Sequence, residues 1–100
     1  MNKTPTTSAP ADYWAMTKQE REAHDTRFLN KHFWEPLAKE KRIQRMETLL
    51  IHTMLGIEIT LNKLINLEYA EQREQLTDVL ASFYKRQEKL CQLLEEEREA

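Results

Sequence analysis

Apolar positions recur at steps of three and four residues over most of the chain, which is the spacing of an amphipathic α-helix. From residue 37 onward, one series keeps to a single helical face, and its members are Ile43, Met46, Leu50, Met54, Ile57, Leu61 and Leu64. A second series occupies an arc of roughly 120° further along the chain and includes Leu76, Phe83 and Leu90. The pattern predicts two long helices, over about 37–66 and 70–98.

A shorter helix is predicted over about 17–34. Thr17 and Glu20 have the spacing of a capping box, in which each side chain satisfies a backbone N–H of the other residue. Pro36 closes this helix, because the residue before a proline is pushed away from helical geometry, and it suits the first position of the next helix. Residues 1–12 are mostly small and polar and predict a flexible tail, whereas 13–100 predict a single α-helical domain.

Residues 37–98 fit either one continuous rod or a helical hairpin. A rod of about 90 Å follows from the 1.5 Å rise per residue, and an unbroken face through Leu61 and Leu76 is compatible with it. The hairpin is favoured because helices average about 11–12 residues and the patterning changes between residues 66 and 71. Asn66 can take the left-handed conformation that ends a helix. The fold class is therefore all-α: a helical hairpin or short coiled-coil bundle with a shorter N-terminal helix.

The composition narrows the picture further. One glycine and three prolines in 100 residues are too few for the turns of a β-sandwich or barrel, and no glycine-rich phosphate loop can be built. The single cysteine, Cys91, has no partner for an intramolecular disulfide, and its place in the apolar arc predicts a buried thiol. The longest uncharged run of the central helix, Thr48 to Ile57, is too short for a membrane span, which needs about 20 residues. With no secretory signal pattern, the expected location is the cytoplasm.

The central helix is apolar on more sides than its own chain can readily cover. Beyond the single-face series, further apolar residues occupy other angles, and these are Leu49, Ile51, Leu55, Ile59 and Leu67. A helix of this kind is buried on several sides. We therefore expect self-association, with a dimer as the commonest solution, or a complex with another protein. The expected interface consists of Ile43, Met46, Leu50, Met54, Ile57, Leu61, Leu64, Leu76, Phe83 and Leu90.

Catalytic and metal sites are not predicted. No Ser-His-Asp, Cys-His or clustered-carboxylate arrangement follows from the spacing, so an enzyme and a bound cofactor are not expected. Glu20, His24 and His32 lie roughly on one helical face, but the H-E-x-x-H and Glu-x-x-His patterns are absent. Solvated surface histidines are the favoured interpretation.

Two groups of residues are candidates for contacts with a partner. Tyr13, Trp14 and Trp34 are expected anchors, because Trp and Tyr are common in binding hot spots and the first two have no obvious local core. For Trp34, a place at the end of the helical core is the favoured interpretation. The basic positions Lys39, Lys41, Arg42 and Arg45 form the best nucleic-acid candidate. Residues 68–100 carry five basic and nine acidic groups, however, so pairing between the basic helix start and the acidic C-terminal helix is favoured.

These observations predict a non-catalytic protein–protein interaction module: an adaptor, an accessory subunit or an inhibitor, acting as a helical homodimer or within a complex. The alternative is a nucleic-acid-associated regulator that uses the basic helix start at residues 39–45.

Overall fold

The computed structural model describes residues 13–99, and all the secondary structure in that range is helical. The elements in chain order are a 3-10 helix (Tyr13–Ala15), α1 (Lys18–Leu29), α2 (Lys31–Trp34), α3 (Lys39–Leu64), a connecting 3-10 segment (Leu67–Gln72) and α4 (Arg73–Glu99). The all-α prediction is confirmed, with two long helices and a shorter N-terminal one. The tail expected over 1–12 lies outside the described residues.

The start of α1 matches the sequence-based expectation, but its end does not. The Glu20 backbone N–H donates to the Thr17 hydroxyl at 3.1 Å, and the Thr17 N–H donates to the Glu20 carboxylate at 2.9 Å. The single helix expected over 17–34 is divided at Asn30, whose backbone is extended and whose side chain accepts from the His32 N–H. An Asn side chain that caps the following N–H groups competes with helix continuation, which explains the break.

The two long helices form a hairpin. The alternative of one continuous rod of about 90 Å is not adopted by residues 13–99, because their longest dimension is 45 Å and α3 packs along α4. Asn66 stands at the turn, but its φ of −95° and ψ of 123° are extended and not left-handed. Its side chain instead accepts from the Glu68 N–H at 2.9 Å and so begins the connecting segment. The second helix, expected to begin at residue 36 or 37, begins at Lys39 and has Ala38 as its N-cap.

The core consists of two apolar clusters along the hairpin. One lies near the start of α3 and the end of α4, and it contains Trp34, Met46, Leu49, Leu90 and Leu94. The other lies nearer the turn and contains Tyr13, Ile57, Val79 and Phe83. Along the two helices, the fully buried side chains of Thr53 and Arg86 stand between these clusters. Each cluster therefore joins α3 to α4, and a buried polar layer separates them.

The 3-10 helix and α1 pack against one side of the hairpin. The Trp14 indole N–H donates to the Thr60 hydroxyl of α3 at 2.8 Å. From α1, the Arg21 guanidinium donates to Ser82 of α4 at 2.9 Å and to the Met16 carbonyl at 2.6 Å. These contacts fix the N-terminal elements as a third layer, and that layer covers only one side of α3.

In the part of the chain that is described, none of the helices is by itself long and apolar enough to cross a membrane. On length and composition, α3 and residues 67–99 meet that criterion only together, as a pair bent by 107°.

Candidate interaction surface

The outward side of α3 carries an exposed apolar surface, which we call the outer apolar face. Its members are Ile51, Met54, Leu55, Ile59, Leu61, Ile65 and Leu67. Their exposed fractions run from 41% at Leu61 to 86% at Leu67. At 100° per residue, the members within α3 span an arc of roughly 160°. Isolated exposed apolar residues are ordinary, but a contiguous group on one helix marks an interaction site.

The inward side of the same helix explains why this face stays open. Met46, Leu49, Thr53 and Thr60 are at most 1% exposed, because α4 and the N-terminal 3-10 helix cover them. The Thr53 and Thr60 hydroxyls donate to backbone carbonyls four residues earlier, so their polar atoms are satisfied inside the core. All neighbouring elements in residues 13–99 thus lie on one side of α3, and the other side faces solvent.

One charged side chain lies within the outer apolar face. Glu58 is exposed and forms no ion pair with any residue between 13 and 99. A partner that covers the face therefore has to leave this carboxylate in water or supply a group to pair with it, because an unpaired buried charge is costly.

The expected interface residues divide into three groups. Met46, Ile57, Leu76, Phe83 and Leu90 are buried within the core of the single chain. Half-buried positions are Ile43, Leu50 and Leu64. Of the ten, only Met54 and Leu61 belong to the outer apolar face.

Sequence reasoning left five members of the face out of the interface: Ile51, Leu55, Ile59, Ile65 and Leu67. Four of them are identified from the sequence as apolar residues outside the single-face series, and this is the signal that could have placed them on a second apolar side of the helix. The structure divides the helix differently from that series: Met54 and Leu61 of the series are exposed, whereas Leu49, outside it, is buried.

The expected anchors are placed within the chain's own core. Tyr13 is fully buried, Trp34 is 1% exposed and Trp14 is half-buried. The premise that the first two aromatics lack a local core is wrong, because the rings of Tyr13 and Trp14 lie 4.7 and 5.7 Å from that of Phe83. This burial holds the N-terminal segment onto the hairpin.

A buried polar cluster supports this N-terminal layer. The Tyr13 hydroxyl donates to the Asp25 carboxylate at 2.7 Å, and the Arg86 guanidinium lies 3.3 Å from the other oxygen of that carboxylate. Burial, the charge of Asp25 and the hydrogen bond to it raise the pKa of Tyr13 above its ordinary value. Burial also lowers the pKa of Arg86, and the neighbouring Asp25 charge opposes that shift. The cluster joins three elements: the 3-10 helix, α1 and α4.

The basic helix start contributes in part to intramolecular pairing. Arg42 is half-buried, donates to the Leu37 carbonyl at 2.7 Å and pairs with Glu97 of α4 at 2.9 Å. Arg98 of α4 pairs in turn with Glu47 of α3. Lys39, Lys41 and Arg45 are exposed. The expected pairing between the basic helix start and the acidic C-terminal helix is thus present within one chain, in the ion pair of Arg42 with Glu97.

The remaining candidates carry no site. Within residues 13–99, no group of three or more His, Cys, Asp and Glu side chains is placed to hold a metal ion. His24 contacts Asp25 at 3.2 Å, and the exposed His32 contacts Glu35 at 2.9 Å. Cys91 is exposed, so the prediction of a buried thiol is wrong. The apolar arc of α4 is wider than the part that α1 and α3 cover.

A groove of about 490 Å³ lies between α1 and α4. Charges of both signs line it, among them Lys18, Glu22, Asp78, Lys85 and Lys89. Lys85 and Glu22 stand 3.9 Å apart across it and are both largely exposed. The mixed charge and the internal pairing give this groove no clear preference for an anionic or a cationic ligand.

No protein-family model matches the chain, and no curated protein and no solved structure shows significant similarity to it.

Proposed function

We propose that this protein is a non-catalytic protein–protein interaction module, an adaptor, accessory subunit or inhibitor that acts through the outer apolar face of α3. The observation that carries the proposal is that seven large apolar side chains, five on α3 and two just after its end, are more than 40% exposed. A contiguous apolar surface on a small helical protein is typical of a binding face.

The energetics support a bound state for this face. Fully burying a Leu, Ile or Met side chain contributes about 1.5–3 kcal/mol, so covering a half-exposed one contributes roughly 1 kcal/mol. Several such side chains, covered together, offset a substantial part of the translational and rotational free energy lost on association. The buried clusters on the inward side keep α3 ordered, so little further ordering is required of the helix itself.

Site-specific crosslinking in the native cell tests the proposal. A photo-activatable residue at Leu55, a half-exposed member of the face, is expected to give a discrete crosslinked product whose peptides come from one polypeptide species. The same residue at Gln92, which is exposed on α4 away from the face, is expected to give none. Equal and diffuse labelling at both positions would contradict the proposal.

The nucleic-acid alternative depends on Lys41 and Arg45, which are exposed and form no ion pair with a described residue. Arg42 contributes less, because Glu97 already pairs with it. Binding through phosphates falls steeply with salt, since counterions are released. A salt titration with duplex DNA and single-stranded RNA tests this alternative. Tight binding at low salt that Lys41→Glu and Arg45→Glu abolish would favour it over an apolar interface.

A further inference from the structure

We infer that the outer apolar face is covered by the same face of a second copy of this chain, with the two α3 helices antiparallel and Leu55 at the twofold axis. This inference rests on the proposed function, because it names the partner of that surface. It goes further in fixing the direction, the register and the residues that meet across the axis.

The size of the face fits a dimer. From their exposed fractions, the seven side chains present on the order of 700 Å² to solvent, which is near the 800 Å² that each partner contributes to a stable interface. Full coverage of all seven side chains in both copies would bury about 1,400 Å², within the 1,200–2,000 Å² range of specific complexes. A monomer whose largest apolar patch exceeds the usual 300–600 Å² is unusual. The face is thus large enough for one copy to cover another.

One part of the face, the ridge around Leu55, can pair with itself. Ile51, Leu55 and Ile59 stand four residues apart and form one ridge along the helix. With Leu55 on a twofold axis, Ile51 of each copy lies opposite Ile59 of the other. An isologous contact requires this kind of self-complementary series, in which residue i meets j and j meets i.

Charge selects the antiparallel direction. A parallel pair would bring residues of equal number together, so the two Glu58 carboxylates would meet and repel each other at close range. In the antiparallel pair, the two Glu58 positions stand about 9 Å apart along the axis, at 1.5 Å per residue. The turn of the hairpin carries the exposed Glu68, Glu71 and Glu74, and the start of α3 carries Lys41 and Arg45. Antiparallel packing brings the acidic turn of one copy toward the basic helix start of the other.

Sedimentation of the purified full-length protein gives the first test. The wild-type chain is expected to sediment as a dimer at micromolar concentration. Leu55→Asp places two carboxylates at the axis and is expected to raise the dimer Kd by roughly 100-fold, which corresponds to about 2.7 kcal/mol. Gln92→Asp adds the same charge on the far side of α4 and is expected to leave the Kd unchanged. Circular dichroism and the combined fluorescence of Trp14 and Trp34 show whether each variant remains folded.

Disulfide mapping gives the second test and does not depend on a destabilising substitution. In a Cys91→Ser background, Leu55→Cys is expected to form an intermolecular disulfide on mild oxidation. Ile51→Cys alone is not expected to form this disulfide. In the antiparallel pair, the two copies of residue 51 lie about 12 Å apart along the helix axis, and a disulfide requires Cα atoms within about 7 Å. Mixing Ile51→Cys with Ile59→Cys is expected to give the heterodisulfide. Efficient self-crosslinking of Ile51→Cys would overturn the antiparallel register.

The outcomes separate this inference from the proposed function. A wild-type chain that stays monomeric at 100 μM, with Leu55 crosslinked in cells to a different polypeptide, overturns the second copy as partner and keeps the interaction module. A monomer with no specific crosslink at Leu55 overturns both. A dimer that Leu55→Asp and Ile51→Asp leave intact places the interface elsewhere and also overturns the inference.

Discussion

The ring of Phe83 on α4 lies directly over Gly56 on α3. A Cβ atom at residue 56 would stand 2.6 Å from the Cε1 and Cζ atoms of that ring, closer than real Cβ contacts come. The only glycine of the chain therefore lets the Phe83 ring pack directly against the backbone of α3. Phe83 fills the space that the missing side chain leaves, and it also contacts the Tyr13 and Trp14 rings of the N-terminal layer.

Gly56→Ala is expected to destabilise the protein, although alanine is the better helix former. The helix-propensity gain of about 1 kcal/mol is outweighed, because displacing a packed aromatic ring costs about 1–3 kcal/mol. Urea unfolding at neutral pH measures the difference, with an expected net loss of up to about 2 kcal/mol. In a Phe83→Leu background the clash is relieved, and Gly56→Ala is then expected to be neutral or stabilising. A stabilised Gly56→Ala single variant would contradict the close packing.

Asp25→Ala is expected to lower the free energy of unfolding by about 3–5 kcal/mol, because it removes the carboxylate beside the fully buried Arg86. Tyr13→Phe removes the hydrogen bond to that carboxylate and the hydroxyl's contact with Arg86, and it is expected to cost about 1.5–3 kcal/mol. Glu22→Gln is the matched control, since its pair with Lys85 is exposed, and its effect is expected to stay below 0.5 kcal/mol. Equal effects of Asp25→Ala and Glu22→Gln would show that the buried cluster stabilises the fold no more than an exposed ion pair does.

Thr60→Val is expected to cost about 1–2 kcal/mol, because it keeps the shape of the side chain but leaves the Trp14 indole N–H without its acceptor. Thr48→Val makes the same chemical change at an exposed position of the same helix, where the hydroxyl also donates to a carbonyl four residues earlier. That control is expected to fall within 0.5 kcal/mol of the wild type. Thermal unfolding, followed by tryptophan fluorescence, compares the two variants, and equal melting temperatures would refute the Trp14–Thr60 contact.

Stability is expected to fall at alkaline pH because of Tyr13. Its pKa is raised in the folded state from the ordinary value of 10.0, so the neutral phenol is the form that the fold favours. This contribution is fully present below pH 10 and is lost above it, as the unfolded chain releases a proton that the folded chain retains. The loss is at most about 1.4 kcal/mol per pH unit.

Urea unfolding at pH 9 and pH 11 measures that loss. Tyr13→Phe is expected to be less stable than the wild type at pH 9 but to show a smaller further decline at pH 11. Tyr84→Phe changes an exposed tyrosine of α4 and is expected to retain the wild-type decline. An identical decline in all three proteins would assign the effect to other groups.

Several features of the fold could be predicted from the chain because they depend on neighbours close in sequence. The capping box at Thr17 and Glu20 needs residues three apart, and the two long helices follow from apolar spacing. The turn near Asn66 follows from a change in that spacing. The position of this turn was predicted, but the role of Asn66 was not. Asn66 was expected to end the helix before it, and its side chain instead caps the segment after it. The same competition by an asparagine side chain divides the N-terminal helix at Asn30.

The sequence by itself determined that the protein is all-helical and that α3 is apolar on more sides than one neighbour can cover. Only the tertiary structure decided which side is covered, because a helical projection ranks residues by angle but holds no information on where α4 and the N-terminal layer pack. That packing buries Met46 and Ile57 and leaves Leu55 in solvent. It also buries Tyr13 through contacts with Asp25 and Arg86. These two residues lie far from Tyr13 along the chain, and local sequence patterns carry no information on contacts between residues so far apart.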